Sequence, residues 1–267
     1  MTAADESILL QRDGPVATLV LNRPQSLNTL DLAMMQRLVA HVAAIAADRE
    51  VRCVVVRGNG RHFMAGGDLR TFADRLGAPG SERQAWFTTM VDELHAAIEQ
   101  LQRLPAPVIA SVHGAVAGFG LSLMAACDLA IAAEDAYFNS AYRNIALSPD
   151  GGATYSLPRV VGAKKAMEIL LLGQRFDAAE ALRIGLVNRV VPAAELARVT
   201  QELVETIVNG PRVALANIKR LVVRSSASSL SEQLHAEAMS FGQCAASDDF
   251  VEGIDAFLQK RSPTFGR

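Results

Sequence analysis

One acid and two glycine-bearing stretches are where this chain could do chemistry. Residues 147–152 read LSPDGG and set a single carboxylate, Asp150, in a Pro/Gly turn that opens onto the helix-like run ATYSLPRVVGAKKAMEILLLG. An acid there has two possible uses: its oxygens cap the free N–H groups of the first helical turn, or it moves a proton or attacks a substrate. The stretches MAGGDL (64–69) and VAGFGLSL (116–123) each put glycine just before a helix, where backbone approaches a ligand closely and N–H groups carry partial positive charge. Taken singly, each reads as a turn that needs positive φ. Meeting in space, the two would make an oxyanion hole.

Other chemistries lack their residues. There is no G-x-G-x-x-G, no P-loop, no G-x-S-x-G elbow and no H-E-x-x-H, so dinucleotide, nucleoside-triphosphate, serine-hydrolase and metalloprotease readings lose support. The five histidines are scattered, and His62 and His113 sit by Gly turns where structural histidines are common. Cys53, Cys127 and Cys244 are far apart with no ligand spacing, which suits reduced, buried thiols.

The elements that must hold these groups alternate in type. SILLQRD and VATLVLN flank Asp13-Gly14-Pro15 as a β-hairpin. From a cap at Asp31, the residues Leu32, Met35, Leu38, Val39, Val42 and Ile45 share one helical face. VRCVVVRG is then a buried strand, and strand–helix–strand order predicts an α/β fold. A helix is expected from about Ala85 to Leu104, stopped by Pro105 and Pro107; VIASVHG is a strand, AVAGFG a loop feeding the helix LSLMAAC, and DLAIAA and AYFNSA are short strands. Beyond Asp150 the pattern is mainly helical, at 163–172, 178–184, 193–208 and 212–224, and Ser229 with Glu232 has capping-box spacing.

Composition sets the outer limits. Of the 267 residues, 50% are hydrophobic and 20% charged, enough for one large core. A net charge of -2 and a pI near 6.2 give no basic field for nucleic acid. The acidic start MTAADESILLQRD has no signal-peptide pattern, and LSLMAACDLAIAA is too short to span a bilayer. A soluble, cytoplasmic protein with no membrane partner is expected.

The stretches NRPQSLNTLDLAM, GRHFMAGGDL, SVHGAVAGFGLSLMAACDLAIAAEDAYF, SPDGGATYSLPRVVGAKKAMEILLLG, EALRIGLVNRVVP and FLQKRSPTF follow one another from about Ser7 to Phe265. Together they resemble the crotonase family, the enoyl-CoA hydratases and isomerases. The resemblance implies a crotonase-like α/β spiral of ββα units over residues 1–200 that carries an acyl-CoA site. A helical region over 201–267 would then build a homotrimer or a dimer of trimers. It implies a coenzyme A thioester as substrate, with no metal and no cofactor beyond the coenzyme A that the substrate carries.

By position, the resemblance makes the backbone N–H groups of Gly67 and Phe119 the oxyanion donors. Phe119 stands where the family usually has glycine; the main-chain donor is kept, and the added ring would narrow the site. Ala65 matches the position whose backbone meets the adenine end of coenzyme A, and Gly66, Asp68, Leu69 and Gly118 flank the donors. Arg23 and Lys260 are implied as phosphate contacts, each equally readable as an exposed charge. The acyl pocket is expected along residues 69–90.

Hydratases of the family use two glutamates, and those places hold Ser122 and Tyr142, neither a carboxylate. Asp150 matches a third position, used by members that shift a double bond or displace halide from an aromatic acyl group. Moving a double bond needs one base that takes a proton from one carbon and returns it at another. Asp150 is therefore expected to be the proton shuttle of an enoyl-CoA isomerase. Tyr142 either hydrogen-bonds the acyl group or fills the place of the missing glutamate, and Ser122 counts among the substrate-facing positions. The alternatives are water addition to a 2-enoyl-CoA, dehalogenase-like attack by Asp150, and a non-catalytic acyl-CoA binder.

Overall fold

The computed structural model describes residues 6–266, so the acidic start at 1–5 lies outside the described residues. β1 (Ile8–Asp13) and β2 (Val16–Leu21) form the expected antiparallel hairpin. α1 (Leu32–Ala47) follows, capped by Asp31, whose carboxylate accepts the Met34 N–H at 2.8 Å. β3 (Cys53–Gly58) then pairs parallel to β2. α2 (Leu69–Ala73) and α3 (Gly80–Arg103) lead to β4 (Val108–Val112), parallel to β3. β5 (Ala115–Ala117) and α4 (Phe119–Ala125) precede β6 (Leu129–Ala133) and β7 (Tyr137–Asn139).

The six-stranded sheet runs β1-β2-β3-β4-β6-β9 and is parallel except for its first pair, with β9 (Arg189–Val191) at its far edge. Its middle strands are buried on both faces, which is why they read as unbroken apolar runs. Val54 and Val56 face the main core with α1, α3 and α4, whereas Cys53, Val55 and Ile109 face Val204 and Ile207 of α8 (Leu196–Val208). A smaller sheet, β5-β7-β8, stands beside it, with β8 at Phe176–Asp177.

After Asp150 come α5 (Ala153–Val161), α6 (Ala163–Leu172), α7 (Ala178–Arg183) and, beyond α8, α9 (Arg212–Ser225), α10 (Leu230–Ala245) and α11 (Asp248–Leu258). The Ser229–Glu232 capping box is present at the start of α10. α9 is fastened to the core by Lys219. Its ammonium donates to Asp128 at 2.7 Å and to the carbonyls of Leu101 and Ala106 at 3.1 and 3.2 Å, with the side chain only 6% exposed.

Three expectations need correction. AVAGFG is not all loop, since Ala115–Ala117 is a strand that pairs with β7 and the helix begins at Phe119. The helix placed from Ala85 begins at Gly80, with Pro79 at its cap, because the polar stretch SERQ forms an exposed first turn. The helix expected at 163–172 is present as α6, and a separate helix, α5, precedes it up to the break at Gly162. The later chain also contains β8 and β9, whose two and three residues are too short to show a period.

Candidate active site

A cavity of about 530 Å³ opens between α1, α3 and the two glycine loops. The loops are held by single β-bridges, Leu30 with Gly67 and Met64 with Val116. They touch each other: a Cβ on Gly118 would lie 3.2 Å from the Gly66 Cα, and one on Gly66 would lie 3.8 Å from the Phe119 nitrogen. Both glycines have positive φ, at 99° and 52°. So close an approach of two backbones excludes any side chain between them.

The N–H groups of Gly67 and Phe119 have no acceptor among the described residues, and both residues line the cavity. Unpaired N–H groups at a buried wall are costly, so this wall suits an oxygen-bearing ligand. Phe119 is 2% exposed, and its ring lies beneath the Asp150 turn, where a Cβ added to Gly151 would come within 2.9 Å of it.

Asp150 lines the same cavity. The helix cap at α5 is Gly152, without any side-chain bond, so the carboxylate does not serve the first helical turn. Instead Asp150 Oδ1 accepts the Tyr142 hydroxyl at 2.5 Å, and that phenol oxygen lies 2.9 Å from Ser122 Oγ. Burial pushes the Asp150 carboxyl above the ordinary aspartate range, while the Tyr142 hydroxyl and the nearby His95 pull it back. The Tyr142 phenol is pushed up, first by burial and then by the charge of Asp150, so it stays a proton donor at neutral pH.

The other expected residues fall around this centre. Ala65, Gly66, Leu69 and Gly118 line the cavity beside the donors. Ser122 is fully buried behind Tyr142 and contributes no surface to the cavity. Arg23 pairs with Asp31 and Asp68, each at 3.0 Å, and donates to the Thr29 carbonyl, which braces the first loop. Asp68 also caps α2. Burial would raise its pKa, but the Arg70 N–H and the Arg23 guanidinium together bring it below the usual range. Lys260 follows α11 in a left-handed conformation and is not among the described residues that line the cavity.

The expected acyl stretch contributes Leu69, Thr71, Phe72, Phe87, Thr88 and Met90. Phe72 and Phe87 meet edge to face at 5.1 Å, and Trp86 backs Phe87 at 4.8 Å. Two other acids reach this wall: Asp31, engaged as a cap, and Asp92, exposed at the rim. His95 escaped the sequence reading. It lines the cavity, and its Nε2 accepts the Gly151 N–H at 3.1 Å. Its one visible signal was its place beside Leu94 on the buried face of a long helix. Among the described residues no group of three His, Cys, Asp or Glu side chains could hold a metal ion.

Comparison with known proteins covers nearly the whole chain. The sequence family described as enoyl-CoA hydratase/isomerase matches residues 11–267. A probable enoyl-CoA hydratase of Rhodobacter capsulatus is 36% identical, with 94% of each chain covered. The 1,2-epoxyphenylacetyl-CoA isomerase of Escherichia coli is 35% identical over 97% of this chain and 98% of its own. The crystal structure of an enoyl-CoA hydratase from Polaromonas sp. JS666 superposes with a TM-score of 0.88 at 35% identity, covering 97% of this chain and 99% of that one. With the matched range spanning both glycine loops and the Asp150 turn, the chain belongs to the crotonase family of enoyl-CoA hydratases and isomerases.

Proposed function

We propose that the protein is an enoyl-CoA isomerase in which Asp150 shuttles a proton along the acyl chain. The observation that carries this reading is the Asp150 carboxylate in the same cavity as two free backbone N–H groups, with hydroxyls at the two places where a hydrating member has acids. The thioester oxygen would sit on the Gly67 and Phe119 N–H groups. Charge that forms at the α-carbon then settles on that oxygen, and each donor lowers the barrier by roughly 3–4 kcal/mol. Asp150 takes the proton from one carbon of the chain and returns it to another, so the carboxylate is restored and no water enters. Its raised pKa brings it closer to the acidity of the reaction it serves. The chemistry draws on no cofactor beyond the substrate's own coenzyme A.

The test is Asp150→Asn with a 3-enoyl-CoA, following conjugation by ultraviolet absorbance. Turnover should fall about 10²–10⁴-fold while coenzyme A binding and the fold persist; full activity in the variant would end the proposal. A second reading, hydration of a 2-enoyl-CoA, is favoured by the names of several relatives. Formation of a 3-hydroxyacyl-CoA would establish it. The edge-to-face pair of Phe72 and Phe87 favours a ring or branched chain in the acyl pocket. Assembly as a homotrimer or a dimer of trimers, in the cytoplasm, completes the proposal. Exposed apolar side chains on α10 and α11 support the assembly.

A further inference from the structure

Asp150 is not a free carboxylate waiting for substrate, because one of its oxygens is already taken by Tyr142. A carboxylate only accepts, so the single phenol proton of Tyr142 points to Asp150 Oδ1. Ser122 then gives its own single proton to the phenol oxygen, 2.9 Å away. Among the described residues, the one other acceptor in reach of Ser122 Oγ is the Gly118 carbonyl at 3.5 Å. That carbonyl belongs to the same peptide unit as the Phe119 N–H.

Both hydroxyls are out of solvent: Ser122 has no exposure and Tyr142 has 9%. A buried hydroxyl without a partner costs stability, whereas a fully bonded pair rigidifies what it holds. Tyr142 itself is set by a constrained backbone, since Ala141 and Ala146 at the two ends of its 3₁₀ turn have φ of 59° and 57°. Such values are uncommon outside glycine.

We propose that Tyr142 and Ser122 are positioning residues: a two-hydroxyl relay that clamps Asp150 Oδ1, leaves the other oxygen for the acyl chain, and tunes when that acid gives up its proton. Ser122 acts only through Tyr142. The proposal deepens the isomerase reading and depends on it for its purpose, though not for its physical content. The titratable groups that act on Asp150 are Tyr142 from the turn before α5 and His95 from α3, while α4 presents the uncharged Ser122. Asp31 and Asp92 line the same cavity.

The experiment follows the Asp150 carboxyl carbon by NMR in protein with labelled aspartate, assigned by its loss in Asp150→Asn, over a pH series. Replacing Tyr142 by Phe removes the donor to the charged form, so the Asp150 midpoint should rise by roughly one pH unit. Ser122→Ala should raise it by less. The Ser122→Ala/Tyr142→Phe double variant should match Tyr142→Phe alone, since without the phenol Ser122 has only the Gly118 carbonyl to serve.

Uniform 3-fluorotyrosine supplies a stronger phenol donor and should move the midpoint down. Tyr137 and Tyr155 lie under Arg175 and Arg159, and among the described residues neither hydrogen-bonds to Asp150. A sign reversal of this kind is not expected of a pair that merely fills space. An unmoved midpoint in Tyr142→Phe, shifts of the two single variants that add, or an upward move with fluorotyrosine would each overturn the proposal. Should Tyr142→Phe not fold, the fluorotyrosine protein and Ser122→Ala decide the matter. None of these readouts needs turnover, so the isomerase reading stands or falls separately on Asp150→Asn activity.

Discussion

Asp150 sets two opposing demands at one residue. Its carboxyl is held above the ordinary aspartate range chiefly by burial, so the folded chain keeps a proton at pH values where the unfolded chain has released it. Its stabilising contribution is complete below the unfolded pKa and is lost as pH rises through the folded pKa. Asp150→Asn, which keeps an acceptor for the Tyr142 hydroxyl, should therefore melt higher than the natural protein at neutral pH. Calorimetry should show that gap closing in acid, and a variant that melts lower at neutral pH would contradict the account. Gain of stability with loss of turnover is the usual trade at a working acid.

Among the elements, the turn that joins Tyr142 to α5 is the least replaceable. Gly151 has φ of 58°, and a Cβ there would come within 2.8 Å of Ser122 and 2.9 Å of the Phe119 ring. Gly151→Ala should cost about 2 kcal/mol in a urea titration and displace the acid from the donors, lowering kcat more than it raises KM. The hairpin, α1 with its Asp31 cap, the buried strands and the capping box of α10 were legible in the sequence, because each writes its period or cap over adjacent residues. β8 and β9 were not, since two or three residues gain their strand geometry from partners far along the chain. The same limit hid His95 and the Ser122–Tyr142–Asp150 relay. LSPDGG announces a turn with an acid, but only the fold tells that acid to face a phenol instead of the helix start.

Taken as a whole, the molecule leaves a broad apolar surface on its last two helices. Leu230, Phe241 and Phe257 are 75%, 76% and 80% exposed, more than a lone chain in water would favour at three large side chains on two short helices. Self-association through this surface predicts a mass in solution that is a multiple of the 28.5 kDa chain. Phe241→Glu combined with Phe257→Glu should reduce that mass toward one chain in light scattering. An unchanged mass would place the contact elsewhere.

The bond between α9 and the core has a further outcome. An ammonium shut away among two carbonyls and Asp128 cannot be released without stranding charge on both sides, at about 3–5 kcal/mol. Hydrogen exchange should thus find the amides around Lys219 opening in step with those of β4 and β6, not ahead of them. Trading Lys219 for Met should let α9 fray early and admit protease while the central strands stay closed. The latch would then be what makes a late-arriving arm of helices melt as part of the body it covers.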